Sequence, residues 1–415
     1  MKNKLINKFL NLSKNIKKIL DENDYVCGKR IRKTKIVDGF VFNLLHGQKN
    51  ISQQLATSKL NKMKGNVNIN RSSYNDRYKQ IPASLYERIY IMINDFYNNN
   101  FADKYTRTVF AVDCTQTLLN KHFSEEGFKL NKNKDSVNAF VLGVYNITNN
   151  IPVSLLLTQQ KSERTAFIEY LDTGVNAKNN IYTFDRGYLG HKFFNQLTQK
   201  EIFFVCRLRE NMKIIPKNSN DTVVDFNGTQ IRVIKYIIDK VTYYLGTNLM
   251  DKNEYSIDIL KQIYANRWSI EEYFKYIKTN TNFANIKANK KEDLIKSISG
   301  HLIVSRIINL LVQIMGPNKN NKELIINKKL LTEGFYEDFI YRFFYSHKLS
   351  SRTFREFIKN YGKYITTNKG EHVVRKSSIP YSKWYIKTHY NKFIKRKNEE
   401  KNKKKLEKLN LKDNE

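Results

Sequence analysis

Six side chains in this sequence have the types and spacing to do chemistry together. Tyr264, Arg267, Glu271 and Lys278 follow one another at intervals of 3, 4 and 7 residues. On a helix, at about 100° per residue, they fall in one narrow row. The other two are Asp113, which closes the β-branched and aromatic run TVFAVD, and Asp185, which closes IYTFD. Three carboxylates with nothing to neutralise them repel one another, and hard cations, which take oxygen donors, would hold them together. Two Mg²⁺ ions about 3.5–4 Å apart can activate an attacking oxygen and stabilise the leaving one in phosphodiester displacement. Each piece alone has a plainer reading. A strand-terminal Asp commonly makes a turn or cap, and Arg267 with Glu271 at i,i+4 makes an ordinary ion-paired surface helix. The argument for a site rests on the three acids as a set, in their element order, within a basic chain.

The elements that would position these residues can be read from the same sequence. Leu260 to Lys278 contains nothing that breaks a helix and is expected to form one. Ile263, Ile270, Phe274 and Ile277 make an apolar stripe beside the polar row, so the helix should dock on a sheet with the row facing both aspartates. Upstream, Thr108–Asp113, Val137–Ile147 and Ile151–Thr158 read as strands, the last two joined by a turn at Thr148-Asn149-Asn150. Ser162 should cap the helix ERTAFIEYLD. A short strand to Asp185, a helix through Phe193, Phe194 and Leu197, and a strand over Ile202–Leu208 follow. Three antiparallel strands, then helix, strand, helix, strand, predict an α/β fold with a ribonuclease H-like mixed sheet. From about 209 to 255 three short strands suggest a small β insertion, and Leu294–Met315 a helix closing the outer face.

Helical regions flank this core on both sides. Residues 1–105 predict an amphipathic helix to about residue 24, a basic cluster at Lys29–Lys35, and helices through Val37–His46, after Ser52, from Ser72 or Ser73, and from Pro82. Short helices with tight turns and exposed Arg71, Arg77 and Lys79 suit a helix-turn-helix-like DNA-binding module, with an ordinary helical bundle as the alternative. The catalytic domain is expected over 106–315. Residues 316–415 are expected to form a helical C-terminal region with Arg342, Lys348, Arg352, Arg355 and Lys359. From Lys387 it ends in a tail with eleven Lys or Arg against five Asp or Glu.

Composition narrows the partner. A net charge of +34 makes a polyanion the natural ligand, although richness in Asn, Lys, Ile and Tyr reflects codon bias in part. Cys27, Cys114 and Cys206 are too scattered for a zinc site or a disulfide framework. No uninterrupted apolar run reaches about 18 residues, and the first residues lack a signal-peptide pattern. An intracellular, DNA-associated protein with no membrane partner is expected.

The motifs VDCT (112–115), FDRGY (184–188) and Y-x2-R-x3-E-x6-K resemble the three signatures of DDE transposases of the insertion-sequence-four family, the last being its YREK motif. RWSIEEYFK adds the embedded Trp and Phe, and RSSYNDRYKQIPASLYERI is similar to the stretch before that family's catalytic domain. The resemblance spans about Thr106 to Asn309. It implies cut-and-paste transposition by metal-dependent cleavage and strand transfer at the element's ends. Asp113, Asp185 and Glu271 would hold two Mg²⁺ (or Mn²⁺) ions. Arg267 and Lys278 would grip phosphates, and Tyr264 would contact a phosphate or help position the DNA end. It further implies a homodimer bridging two terminal inverted repeats, and target DNA as a second substrate. A nuclease of the same fold, or a domesticated DNA-binding protein, are the alternatives. The chain departs from larger members in its compact insertion, which has no Trp. Tyr243 or Tyr244 could stack a base there or lie buried in a strand. Cys114 reads as a small packing residue, not a nucleophile.

Overall fold

In the computed structural model, the residues described are 2–26, 34–101, 107–131, 135–159, 162–216, 219–238, 240–318, 321, 324–345 and 349–366. Cys27, positions 29–33 of the basic cluster, Thr106, Lys348 and the tail from Lys387 lie outside them. Five helices come first: α1 (Lys2–Val26), α2 (Ile36–His46), α3 (Gln53–Met63), α4 (Arg71–Gln80) and α5 (Ala83–Asn100). The expected apolar side of α1 is buried at Ile6, Phe9 and Ile16. Ser52 caps α3, its Oγ accepting the Leu55 N–H at 3.2 Å, and Pro82 occupies the cap position of α5. Two expectations fail here. Asn70, not Ser72 or Ser73, precedes α4. Arg77 is buried, donating from Nε to the Thr34 carbonyl at 2.8 Å and from Nη1 to Gln80 at 2.9 Å. Burying a guanidinium is costly unless its donors are used, and this one is committed to holding α4; Arg71 and Lys79 are exposed as expected.

The sheet is built from β1 (Val109–Asn120), β2 (Ser136–Asn146) and β3 (Ile151–Thr158), then α6 (Glu163–Leu171), β4 (Ile181–Phe184), α7 (His191–Gln199) and β5 (Phe203–Arg207). β1, β2 and β3 are antiparallel, and β1, β4 and β5 are parallel, giving the order β3-β2-β1-β4-β5 of a ribonuclease H-like sheet. The insertion strands β6 (Asp221–Asp225), β7 (Gln230–Ile238) and β8 (Val241–Thr247) continue that sheet. β8 pairs antiparallel with β5, making eight strands. One correction bears on the chemistry: β1 does not end at Asp113 but runs on to Asn120, because Cys114–Asn120 keep pairing with β2.

The polar row lies on two helices rather than one, α8 (Ile257–Ala265) and α9 (Trp268–Asn280). At the joint the Arg267 and Ile270 N–H groups bond three residues back, to Tyr264 and Arg267, tightening the turn. The joint separates two cores. Ile263 and Tyr264 pack beside Val205, Ile234 and Leu245, whereas Ile270, Phe274 and Ile277 pack beside Ala111, Val141 and Leu302. The opposite face of the sheet is covered by α6 and α7 through Ala166, Phe167, Phe193 and Phe194, against Val112, Leu142 and Phe184.

Beyond α9 come α10 (Lys291–Met315), β9 (Leu324–Ile326), α11 (Lys328–Gly334), α12 (Ile340–Tyr345), α13 (Ser351–Tyr361) and β10 (Tyr364–Thr366). α10 starts earlier than expected and, by length and composition alone, could cross a membrane; it is largely buried inside the protein. Its first half packs on the sheet through Leu294, Ile298 and Leu302. Its second half joins helices from both ends of the chain in one apolar core, where Phe9 lies 5.3 Å from Phe343 and 5.5 Å from Phe354.

Candidate active site

The sheet's register brings the two aspartates level. Parallel pairing of β1 with β4 ends at the rung Ala111–Thr183, and Asp113 and Asp185 each stand two residues past it. Asp113 Oδ1 accepts its neighbour Cys114's N–H at 2.8 Å. Asp185 caps a single 3-10 turn, Arg186–Tyr188, its Oδ1 accepting the Gly187 N–H at 2.8 Å.

α9 reaches this point because of a glycine. Gly143 lies across the ladder from Asp113. A Cβ there would sit 2.5 Å from Phe274 Cζ and 3.3 Å from Ile270 Cδ1. Those two side chains fill the missing one's place, so the helix lies close against the sheet. Burial of Ile270, Phe274 and Ile277 fastens it, each worth about 1.5–3 kcal/mol. Glu271 is thereby delivered beside Asp113, with its Oε1 held by Arg267 Nη2 at 2.5 Å. The i,i+4 ion pair of the plainer reading is therefore made, and it is made next to the aspartates.

The electrostatics reflect that gathering. Burial pushes the Asp113 carboxyl up to about 6; the Cys114 N–H and Arg267 oppose the rise, and Asp185 and Glu271 add to it. Lys278 is lowered by burial, and Asp113 works against that shift. Burial also disfavours the Arg267 charge, but Tyr264, Glu271 and Asp113 together keep its guanidinium above the ordinary value. Tyr264 is raised by burial, and its ring lies under Arg267 at 5.7 Å. All six residues singled out in the sequence thus belong to one neighbourhood. Cys114 is pushed up to about 12, chiefly by burial, and stays a neutral thiol.

Among the described residues, no three His, Cys, Asp or Glu side chains converge as a ready-made metal cage. The donor set still fits a hard cation in kind: carboxylate oxygens from three separate elements, mutually repelling at Asp113. Arg267 is 8% exposed, and its buried Nε has no hydrogen-bond partner. An unused guanidinium donor beside the acids suits an anionic oxygen.

Two features escape a reading of the sequence. Glu163, the first residue of α6, joins the aspartates from the other face of the sheet. Burial, Asp185 and then Asp113 push its carboxyl up to about 7. The only signal was an acid just after the cap position Ser162, which makes no side-chain cap bond. The second is a cavity of about 480 Å³ beside Arg267, lined by Arg207, Tyr236, Tyr243, Lys261, Tyr264 and Trp268. Tyr236 and Tyr243 stack at 5.3 Å with planes 8° apart, Arg207 lies 4.6 Å over Tyr243, and Trp268 is 57% exposed. Of the two tyrosines weighed in the sequence, Tyr244 is buried and Tyr243 lines this cavity.

Comparisons with known proteins bear on the same residues. No curated protein matches the sequence. Among solved structures, the chain is similar to a piggyBac transposase in a synaptic complex with hairpin DNA, at 13% identity and a TM-score of 0.47, over 92% of this chain and 89% of that one. Residues 104–305 match the family described as the transposase DDE domain, a span that contains Asp113, Glu163, Asp185, Tyr264, Arg267, Glu271 and Lys278. That matched stretch is just under half of the chain's length.

Proposed function

We propose that this protein is a DNA transposase of the insertion-sequence-four type, cutting the ends of a mobile element and joining them to target DNA. The observation that carries this reading is the gathering of Asp113, Asp185 and Glu271 from three elements within the stretch matched as a transposase DDE domain. These acids would hold Mg²⁺ or Mn²⁺. Two such ions, when bound, supply Lewis acidity that eases deprotonation of the attacking hydroxyl or water and shields the leaving oxygen. The chain's own groups do the rest. Arg267 and Lys278 hold phosphate oxygens, the first through its planar donor fork and the second as a point charge. Tyr264 orients the Arg267 guanidinium from below. The cavity lined by Tyr236, Tyr243 and Trp268 accepts a base unstacked from the cut end, as a hairpin intermediate would require. The helical region to residue 105 and the basic C-terminal region bind DNA, and a homodimer pairs the two ends.

The test uses DNA carrying the terminal inverted repeats that flank the gene. Asp185→Ala and Glu271→Gln should abolish Mg²⁺-dependent cleavage and leave DNA binding nearly intact. Undiminished cleavage by both variants would sink the reading. Cleavage without joining to a target would make the protein a nuclease. Affinity should fall steeply with salt, as phosphate contacts release counterions.

A further inference from the structure

We propose that Glu163 is a fourth carboxylate of the divalent-cation site, reaching it from the face of the sheet opposite Glu271. This rests on the functional reading above and adds a residue that the three motifs do not contain. α6 is fixed to the sheet by Ala166, Phe167, Tyr170 and Leu171, which leaves its first residue at the level of the aspartates. There the Glu163 carboxylate turns toward the 186–188 turn. A Cβ added at Gly187 would lie 2.5 Å from Glu163 Oε2 and 3.1 Å from Asp185 Oδ1. The two carboxylates therefore close in on one small volume from two elements, and the glycine of FDRGY leaves that volume open.

An acid at a helix start has an ordinary role, which is to complement the helix dipole. In that role Glu163 would be stabilised as an anion. Instead its Oε2 and Asp185 Oδ1 both face the open volume at Gly187, and, among the described residues, burial, Asp185 and Asp113 all disfavour its charge. A second observation points to a ligand beside Asp113. Arg267, 8% exposed and bonded to Glu271 at 2.5 Å, acts on the Asp113 carboxyl and keeps a buried Nε with no hydrogen-bond partner. Four acids and one unsatisfied buried donor are what a cation carrying a phosphate oxygen would complete. Glu163 and Glu271 then flank the aspartates from the two sides of the sheet, which matches the number of oxygen ligands a pair of hard cations demands better than three acids do.

The experiment is Mn²⁺ binding to the full chain without DNA, followed by electron paramagnetic resonance and by the Mn²⁺-induced rise in melting temperature. The variants are Glu163→Gln, Gly187→Ala and Asp185→Asn. Glu163→Gln should weaken Mn²⁺ binding about tenfold or more and shrink the thermal shift. Its cleavage defect should recover as Mg²⁺ is raised. Gly187→Ala, which displaces the carboxylate, should reproduce the loss, and the double variant should be no worse than Glu163→Gln alone. A helix-start role would lower the metal-free melting temperature and leave Mn²⁺ binding alone. If Asp185→Asn loses Mn²⁺ while Glu163→Gln binds it like the unaltered chain, Glu163 is not a ligand and the transposase reading stands. If Asp185→Asn also binds it unchanged, the metal site itself is wrong. Should Glu163→Gln fail to fold, Glu163→Asp, which keeps the charge but retracts it, gives the same comparison.

Discussion

On one face of the sheet α9 presents Glu271 with a counter-ion one turn away; on the other α6 presents Glu163 facing Asp185 across the space at Gly187. Both acids act on Asp113, yet their surroundings differ. Glu271 shares its oxygen with Arg267, so it can lie near Asp113 without added cations. Glu163 is held by packing of its helix and by the open space at Gly187, and Asp185 and Asp113 disfavour its charge. The comparison teaches that a carboxylate can be kept in an anionic cluster in two ways: by pairing it, or by anchoring the element beneath it. The first couples the acid to whatever else its partner binds. A phosphate drawing on Arg267 would compete with Glu271 for the guanidinium.

The largest effect should come from the groups both faces share. Asp113→Asn or Asp185→Asn is expected to lower cleavage by about a thousandfold or more, measured in single turnover. Equal loss on both would sharpen the picture of one site; loss at only one would split it. Next is the helix seat. Gly143→Val should push α9 away from the sheet by contact with Phe274 and Ile270, lowering cleavage by roughly 10- to 100-fold and lowering the melting temperature. A Gly143→Val chain with normal cleavage would mean that Glu271 does not depend on this close approach. Arg267→Lys removes the fork but keeps the charge. It should weaken binding of the DNA end by about 1.5–3 kcal/mol, seen in titrations, while Mn²⁺ binding stays equal or improves as Glu271 is released. Weaker Mn²⁺ binding in that variant would contradict the competition. Smallest is Trp268→Ala. Its loss should cost about 1–3 kcal/mol in affinity for an end with an unpaired base, and nothing for Mn²⁺; an effect on fully paired DNA of equal size would remove the base from the explanation.

Much of this was legible in the sequence because its signals are local. The apolar strand runs that carry the two Asp residues, the alternation of helix and strand, and the 3, 4, 7 spacing are all read from residues close together in the chain, and the order of elements follows from them. The misses are products of tertiary contact. Nothing near Asp113 says that β1 continues to Asn120, since that depends on the partner strand. Arg77 carries the polar pattern of an exposed residue, and its burial comes from the Thr34 carbonyl, distant in sequence. The break at Arg267 has no Gly or Pro to announce it. It arises where one helix must satisfy two apolar cores. Glu163 was passed over because its significance lies in a glycine 24 positions away, read there only as part of a turn.

That break at Arg267 also defines a seam along which the molecule could be remodelled. α8 belongs with the insertion strands, and α9 belongs with the strands that carry the aspartates. The chain between β8 and α8 could be lengthened, or the three insertion strands exchanged for a larger module, without altering the packing that seats Glu271. Such a change would be felt first by the base cavity and by Arg267, and last by the acids. If the chain works as proposed, its reach and selectivity for DNA can therefore diverge while the cutting chemistry stays fixed.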